Sequence, residues 1–91
     1  MSLTPQQLVE IANEYGSPLY VYDTQSIESQ YKKLTTAFQN VNAKFFYACK
    51  ALSNINILKF LHSLGSNLDC VSINEVRLGL MAGFSAEQII Y

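Results

Sequence analysis

The chain is poor in the residues that build metal centres, disulfide frameworks and nucleic-acid surfaces. It has no tryptophan, one histidine, two cysteines and a formal net charge of -1. Without a basic excess there is no electrostatic basis for binding nucleic acid or an anionic membrane. Cys49 and Cys70 are too few for a disulfide framework, and they lack metal-ligand spacing. We therefore expect no metal site, no nucleic-acid partner and no membrane partner.

Long apolar runs are also missing, although the composition is apolar. No run approaches the roughly 20 residues of a membrane span, and residues 1–5 lack the features of a signal peptide, so we expect a cytoplasmic protein. Hydrophobic residues make up 49% of the 91 residues and charged residues 14%. So apolar a chain needs a large partner surface. We expect it to be the front part of a longer protein, and a complete small α/β domain is the alternative.

Capping and turn residues organise the first third of the chain. Thr4, Pro5 and Gln7 predict a helix start with a capping box, and Gly16 predicts its end in the left-handed conformation. The β-branched and aromatic residues 19–22 predict a short strand. Asp23 or Thr24 then caps a second helix, which we expect to run to Gln39.

From residue 45 onward the chain repeats one unit. Apolar segments at 45–49, 68–72 and 89–91 predict strands, with helices after Asn54 and from Ile73 between them. The strands start about 22 residues apart, the length of a strand, a helix and two short loops. Such repeats predict an α/β fold with parallel strands and right-handed crossovers.

Lys50 directly follows the first of these strands. Withdrawing an ammonium group from water favours the neutral amine, the form that attacks an aldehyde to give a Schiff base. The alternative is a lysine that marks where the strand reaches solvent. Alternation along the strand puts Lys50 on the same face as Ala48, and matched registers put Asp69 beside them. Cys49 and Cys70 then face the covering helices as packing residues.

Two polar features have a structural interpretation beside a functional one. Ser72 and Glu75 fit a capping box, which we favour, and they also lie at a strand's carboxyl end, where barrel enzymes build their sites. His62 lies mid-helix, away from any strand end, and is interpreted as a surface histidine.

An ordered set of motifs resembles the fold-type III decarboxylases that use pyridoxal phosphate. The similarity runs from about residue 10 to the end of the sequence. It includes the segment Tyr15 to Asp23, the string Phe46-Tyr47-Ala48-Cys49-Lys50-Ala51, the string Asp69-Cys70-Val71-Ser72 with Glu75, and Ala82-Gly83-Phe84. Each string is short, but their order and spacing together are fairly specific.

The resemblance implies a protein with two domains. Residues 1–42 would supply an N-terminal helix, a strand of a mostly β domain and a crossover helix. Residues 43–91 would supply the first two and a half βα units of a (β/α)8 barrel. The family works as a homodimer with its sites at the subunit interface.

The resemblance also implies a site and a reaction. Lys50 would hold pyridoxal 5'-phosphate as a covalent aldimine, Ala48 would line its ring, and Asp69 would lie near the cofactor and the lysine. The reaction would be decarboxylation of a small amino acid, whose identity stays open. The family's phosphate loop, pyridine-nitrogen acid and substrate residues are absent from these 91 residues, so we expect the chain alone to be inactive. A non-catalytic relative that binds the cofactor and an inactive fragment are the alternatives.

Overall fold

A computed structural model of the chain describes residues 2–91. Four α-helices are present in this range: α1 (Pro5–Tyr15), α2 (Thr24–Ala37), α3 (Ile55–Ser63) and α4 (Ile73–Ala82). Three strands are present as well: β1 (Phe46–Ala48), β2 (Asn67–Asp69) and β3 (Ile89–Ile90). One 3₁₀ turn, Cys49–Ala51, follows β1, and a second, Ala86–Gln88, precedes β3. No helix within residues 2–91 is long and apolar enough to cross a bilayer.

The strands form one parallel sheet in the order β1-β2-β3, which confirms the predicted α/β class. Ala48 is in register with Asp69, and Asp69 is in register with Ile90. The strands are shorter than the apolar segments that predicted them. The Cys70 amide still donates a hydrogen bond to the Ile90 carbonyl at 2.8 Å, but the residues after it turn towards the cap of α4, so β2 ends at Asp69 rather than at residue 72.

The two faces of the sheet have different surroundings. Tyr47, Leu68 and Ile89 pack on the helix-covered face, where Leu68 is fully buried. Helix α4 approaches this face closely because Gly79 has no side chain, and a Cβ there would lie 2.5 Å from Leu68 Cδ2. The opposite face, which we call the open face, carries the row Ala48, Asp69 and Ile90, and Ile90 is 47% exposed.

The helix starts follow the predicted capping chemistry. Thr4 Oγ1 accepts a hydrogen bond from the Gln7 amide at 3.1 Å, and Gln7 Oε1 accepts one from the Thr4 amide at 2.8 Å. Asp23 caps α2 and Asn54 caps α3. The prediction for Gly16 was wrong in detail, since its φ of 85° and ψ of 174° lie outside the left-handed helical region. Only glycine adopts such a backbone readily.

Two predicted elements differ from the structure. Residues 19–22 do not form a strand, because a strand requires a hydrogen-bonded neighbour and no other segment of residues 2–91 pairs with them. Helix α2 ends at Ala37 rather than Gln39, where the chain turns towards β1. The rings of Tyr31 and Phe38 pack edge-on against Phe45 at centroid distances of 6.5 and 6.0 Å. This contact fixes α2 over the start of the sheet.

The cap of α2 also ties down the N-terminal segment. Asp23 Oδ2 accepts hydrogen bonds from the Ser2 amide at 2.8 Å and from the Ser2 hydroxyl at 2.5 Å. Asp23 Oδ1 accepts one from the Gln25 amide at 3.0 Å. The Ser2 hydroxyl, with smaller contributions from the Ser2 amide and Ser26, lowers the pKa of Asp23 from 3.8 to about 2.

Acid is expected to weaken this cap in a defined window. A depressed folded-state pKa contributes stability that is present above pH 3.8 and lost as the pH falls towards about 2. The thermal unfolding temperature of the wild type should therefore decrease as the pH is lowered from 3.8 to about 2. The unfolding temperature of Asp23→Asn should decrease less over the same range. Thermal unfolding followed by circular dichroism measures both. Glu14→Gln in α1 is the control, and an Asp23→Asn profile identical to the wild type would contradict the prediction.

Candidate active site

Lys50 lies directly after β1 in the 3₁₀ turn Cys49–Ala51, and its side chain is exposed. The strand ends at Ala48, so strand alternation does not extend to Lys50 and does not determine where its side chain points. Within residues 2–91 the Lys50 side chain is not withdrawn from water. The alternative interpretation, a lysine where the strand reaches solvent, describes its surroundings.

The turn that carries Lys50 is held on both sides. Cys49 is fully buried in the core. The Leu52 amide donates a hydrogen bond to the Cys49 carbonyl at 3.2 Å. The Tyr47 hydroxyl donates one to the Leu52 carbonyl at 2.9 Å. This contact of Tyr47 was not predicted, because a hydrogen bond from a side chain to a carbonyl five residues later leaves no periodic signal in the sequence.

The structure brings Ala48 and Asp69 together on the open face. They are register partners on adjacent parallel strands, so their side chains point the same way. Both are half-buried. The methyl group of Ala48 leaves surface free beside the Asp69 carboxylate, at the same end of the sheet as the turn with Lys50. This end of a parallel sheet is where βα folds build their sites.

Lys50 and Asp69 do not form an ion pair. The only side-chain ion pair within residues 2–91 joins Lys32 Nζ to Glu28 Oε1 at 2.7 Å. The Lys50 amine is thus an exposed primary amine that no described carboxylate holds. Its chemistry fits the aldehyde of a pyridoxal group, and the open surface beside Ala48 fits a flat ring. The residues present are therefore compatible with this cofactor.

Ser72 and Glu75 join β2 to α4. Ser72 Oγ accepts a hydrogen bond from the Glu75 amide at 3.2 Å, which confirms the favoured capping role of Ser72. The reciprocal half of the predicted capping box was wrong, because Glu75 Oε1 accepts a hydrogen bond from the Val71 amide at 2.9 Å rather than from the Ser72 amide. These bonds fix the carboxyl end of β2, where Asp69 lies.

The two cysteines are core residues, as predicted. Cys49 is fully buried and Cys70 is 1% exposed, both in a cluster with Leu58 and Leu68. Burial raises the pKa of the Cys49 thiol to about 11, and the nearby Glu75 charge adds to the shift. Burial also raises the pKa of Cys70, again with Glu75 contributing.

These thiols are expected to be unreactive in the folded protein. A rise in pKa from 9.0 to about 11 leaves about a hundred-fold less thiolate at neutral pH, and burial blocks access as well. Reaction with an aromatic disulfide reagent should therefore be at least about a hundred-fold slower in the folded protein than in urea. Val71→Cys is a matched control, because Val71 is 60% exposed and adjacent to Cys70. Native thiols that react as fast as this added cysteine would disprove the prediction.

His62 is more enclosed than predicted. It is half-buried near the end of α3, and its ring meets the Phe84 ring edge-on at a centroid distance of 4.9 Å. This contact makes it a packing residue rather than a freely exposed one. No group of three or more histidine, cysteine, aspartate or glutamate side chains within residues 2–91 is arranged to hold a metal ion.

Two apolar cavities lie close to β1 but are not lined by Lys50. A groove of about 530 Å³ between α2 and α3 has an almost entirely apolar lining that includes Tyr31, Tyr47 and Leu61. A smaller cavity of about 230 Å³ runs beside β1 and shares these three residues. Ala48 lines the smaller cavity, whereas Lys50 and Asp69 line neither. The candidate site is therefore an open sheet end rather than an enclosed pocket.

Comparison with solved structures defines the class of fold. The chain is similar to lysine decarboxylase from Selenomonas ruminantium, with a TM-score of 0.89 and 27% identity, over 100% of this chain and 24% of that one. It therefore forms the N-terminal part of a (β/α)8 barrel, as the resemblance to the decarboxylase family implied.

Comparison of sequences defines the family. Residues 24–91 match the pyridoxal-dependent decarboxylase family, pyridoxal binding domain, and the chain belongs to this family. It is 45% identical over 85 residues to diaminopimelate decarboxylase from Methanothermobacter thermautotrophicus, and 39% identical over 82 residues to that from Campylobacter jejuni. These alignments cover 91% and 90% of this chain, which spans about a fifth of the length of either relative.

Proposed function

We propose that the protein carrying this chain is a pyridoxal-phosphate-dependent decarboxylase that converts meso-diaminopimelate to L-lysine and carbon dioxide, a step of lysine biosynthesis. The observation that carries the proposal is the exposed Lys50 amine at the carboxyl end of β1, beside the Ala48–Asp69 pair, in a chain of the pyridoxal-binding family. The 45% identity to a diaminopimelate decarboxylase supports the substrate.

Each residue has a defined part in this proposal. Lys50 Nζ would hold the cofactor and, when its amine is free, would be the group placed to move a proton. Asp69 would lie near the cofactor on the same face as Ala48, and Ala48 would leave room for the ring. Pyridoxal phosphate, when bound, supplies an electron-withdrawing ring that stabilises the negative charge left by the departing carboxylate.

Covalent labelling tests the cofactor site. Borohydride reduction in the presence of pyridoxal phosphate, followed by peptide mass spectrometry, should place a pyridoxyl group on Lys50 in preference to Lys32, Lys33, Lys44 and Lys59. Labelling spread evenly over the lysines would refute the assignment of Lys50.

Carbon dioxide release tests the substrate. The protein should act on meso-diaminopimelate and not on lysine, ornithine, arginine or carboxynorspermidine. Because the structural similarity to a lysine decarboxylase covers all of this chain, lysine is the most informative alternative substrate to test. Release from lysine alone would reassign the substrate within the family, and cofactor binding without release from any amino acid would identify a non-catalytic relative.

We further propose that residues 1–42 join this barrel to a mostly β domain, with residues 43–91 beginning the barrel itself. The unpaired, extended residues 19–22 support this, since Tyr20 is 89% exposed and Tyr22 is 44% exposed. Such a segment is suited to pairing with a sheet edge outside residues 2–91.

The proposal includes a homodimer with sites at the subunit interface. The two free, buried thiols are consistent with a reducing compartment, and we place the protein in the cytoplasm.

A further inference from the structure

Tyr47 connects the covered face of the sheet to the turn that carries Lys50. It is the middle residue of β1 and the register partner of the buried Leu68. Its ring is half-buried and packs against the core cluster. Burial raises the pKa of its hydroxyl, which stays protonated near neutral pH and so remains a hydrogen-bond donor.

The hydroxyl of Tyr47 bridges the turn from one end to the other. It donates to the Leu52 carbonyl at 2.9 Å, and Leu52 is the residue at which the 3₁₀ turn ends. The residues between the two partners are Ala48 and the turn itself, with Lys50 at its centre. A ring fixed in the core therefore holds the far end of the segment that carries Lys50.

The turn has little else to hold it. A single 3₁₀ turn has poorer hydrogen-bond geometry than an α-helix, so each further contact adds to its restraint. The hydrogen bond from the Leu52 amide to the Cys49 carbonyl closes the turn, and the buried Cys49 side chain anchors its start. Lys50 is exposed, and its side chain forms no hydrogen bond or ion pair within residues 2–91. The position of its Cα therefore depends on the backbone of the turn alone.

We propose that Tyr47 is a positioning residue for Lys50: its hydroxyl fixes the Leu52 carbonyl and thereby the place from which the Lys50 amine reaches the cofactor aldehyde. This inference rests on the proposed function, because it gives Lys50 a cofactor to reach. Without the hydroxyl the turn opens more often, and the amine samples positions from which the aldehyde is out of reach.

Tyr47→Phe removes this hydroxyl and keeps the ring. Hydrogen exchange by mass spectrometry should show amide exchange in residues 49–52 that is about five-fold faster than in the wild type, as expected for the loss of one hydrogen bond of ordinary strength. After treatment with pyridoxal phosphate and borohydride, the share of label on Lys50 relative to the other four lysines should fall by a similar factor. Tyr31→Phe is the matched control, since Tyr31 lines the same groove and its hydroxyl donates no hydrogen bond within residues 2–91.

The two measurements separate the possible results. Faster exchange with an unchanged share of label on Lys50 would reduce Tyr47 to a structural role and overturn the proposal. Unchanged exchange would overturn it as well, because the bond would then not restrain the turn. A wild type that shows no preference for Lys50 would refute the proposed function and the positioning role together, whereas a preference lost only in Tyr47→Phe supports both.

Discussion

Replacement of Lys50 by alanine is expected to abolish covalent attachment of pyridoxal phosphate and to lower the decarboxylation rate at least about a thousand-fold, as loss of a nucleophile that also moves a proton does. Lys50→Arg should be equally inactive. Its guanidinium keeps the positive charge but stays protonated and cannot attack an aldehyde. The expected loss of activity therefore results from removing the nucleophilic amine and not from removing the positive charge.

Two measurements check this prediction in the protein that carries the chain. The visible absorbance of the bound cofactor reports attachment, and carbon dioxide release from meso-diaminopimelate reports turnover. Lys59→Ala on α3 is the control, because this lysine is also exposed but lies in a helix that the site does not use. A Lys50→Arg protein with the wild-type rate would rule out Lys50 as the nucleophile.

Leu58→Ala should be the most destabilising single truncation of the core. Leu58 is fully buried and lies with Cys49 and Leu68 in the cluster between α3 and the sheet. Removal of such a side chain costs about 2–5 kcal/mol of unfolding free energy, from lost burial and from the cavity that remains. The total free energy of unfolding of a small domain is only about 5–15 kcal/mol.

Urea unfolding followed by circular dichroism measures this loss. Leu80→Ala is the matched control, since Leu80 lies in α4 but is 50% exposed and should cost about 0.5 kcal/mol or less. The slope of the unfolding free energy against urea concentration should stay the same in both variants, because the surface exposed on unfolding changes little. Equal losses for the two leucines would contradict the core that the structure defines.

Local chemistry explains which parts of the fold were predictable from sequence. Thr4, Asn54 and Ser72 cap helices because their own side chains bond amides two or three residues later, and this pattern is visible without tertiary structure. Strand ends were less accurate, because the extent of a strand depends on its pairing with neighbouring strands and not on its own residues alone. Residues 19–22 have strand composition but no pairing segment within residues 2–91.

The candidate site was predictable to a similar extent. Ala48 and Asp69 were placed side by side from strand alternation and an assumed register, and the structure has that register. The same alternation failed one step later, because the chain leaves the strand at Cys49 and turns. The support from Tyr47 was not predictable, since it depends on how a three-residue turn folds back under a ring.

The division of the sheet into two rows determines which changes these strands tolerate. Leu68 faces the core and Asp69 faces the open side, although they are neighbours in the chain. An insertion or deletion of one residue in β2 would exchange them, placing a carboxylate in the apolar core and a leucine beside Ala48. Point substitutions in either row leave the other row in place. We therefore expect members of this family to vary along these strands by substitution and to place their length changes in the loops that connect strands to helices.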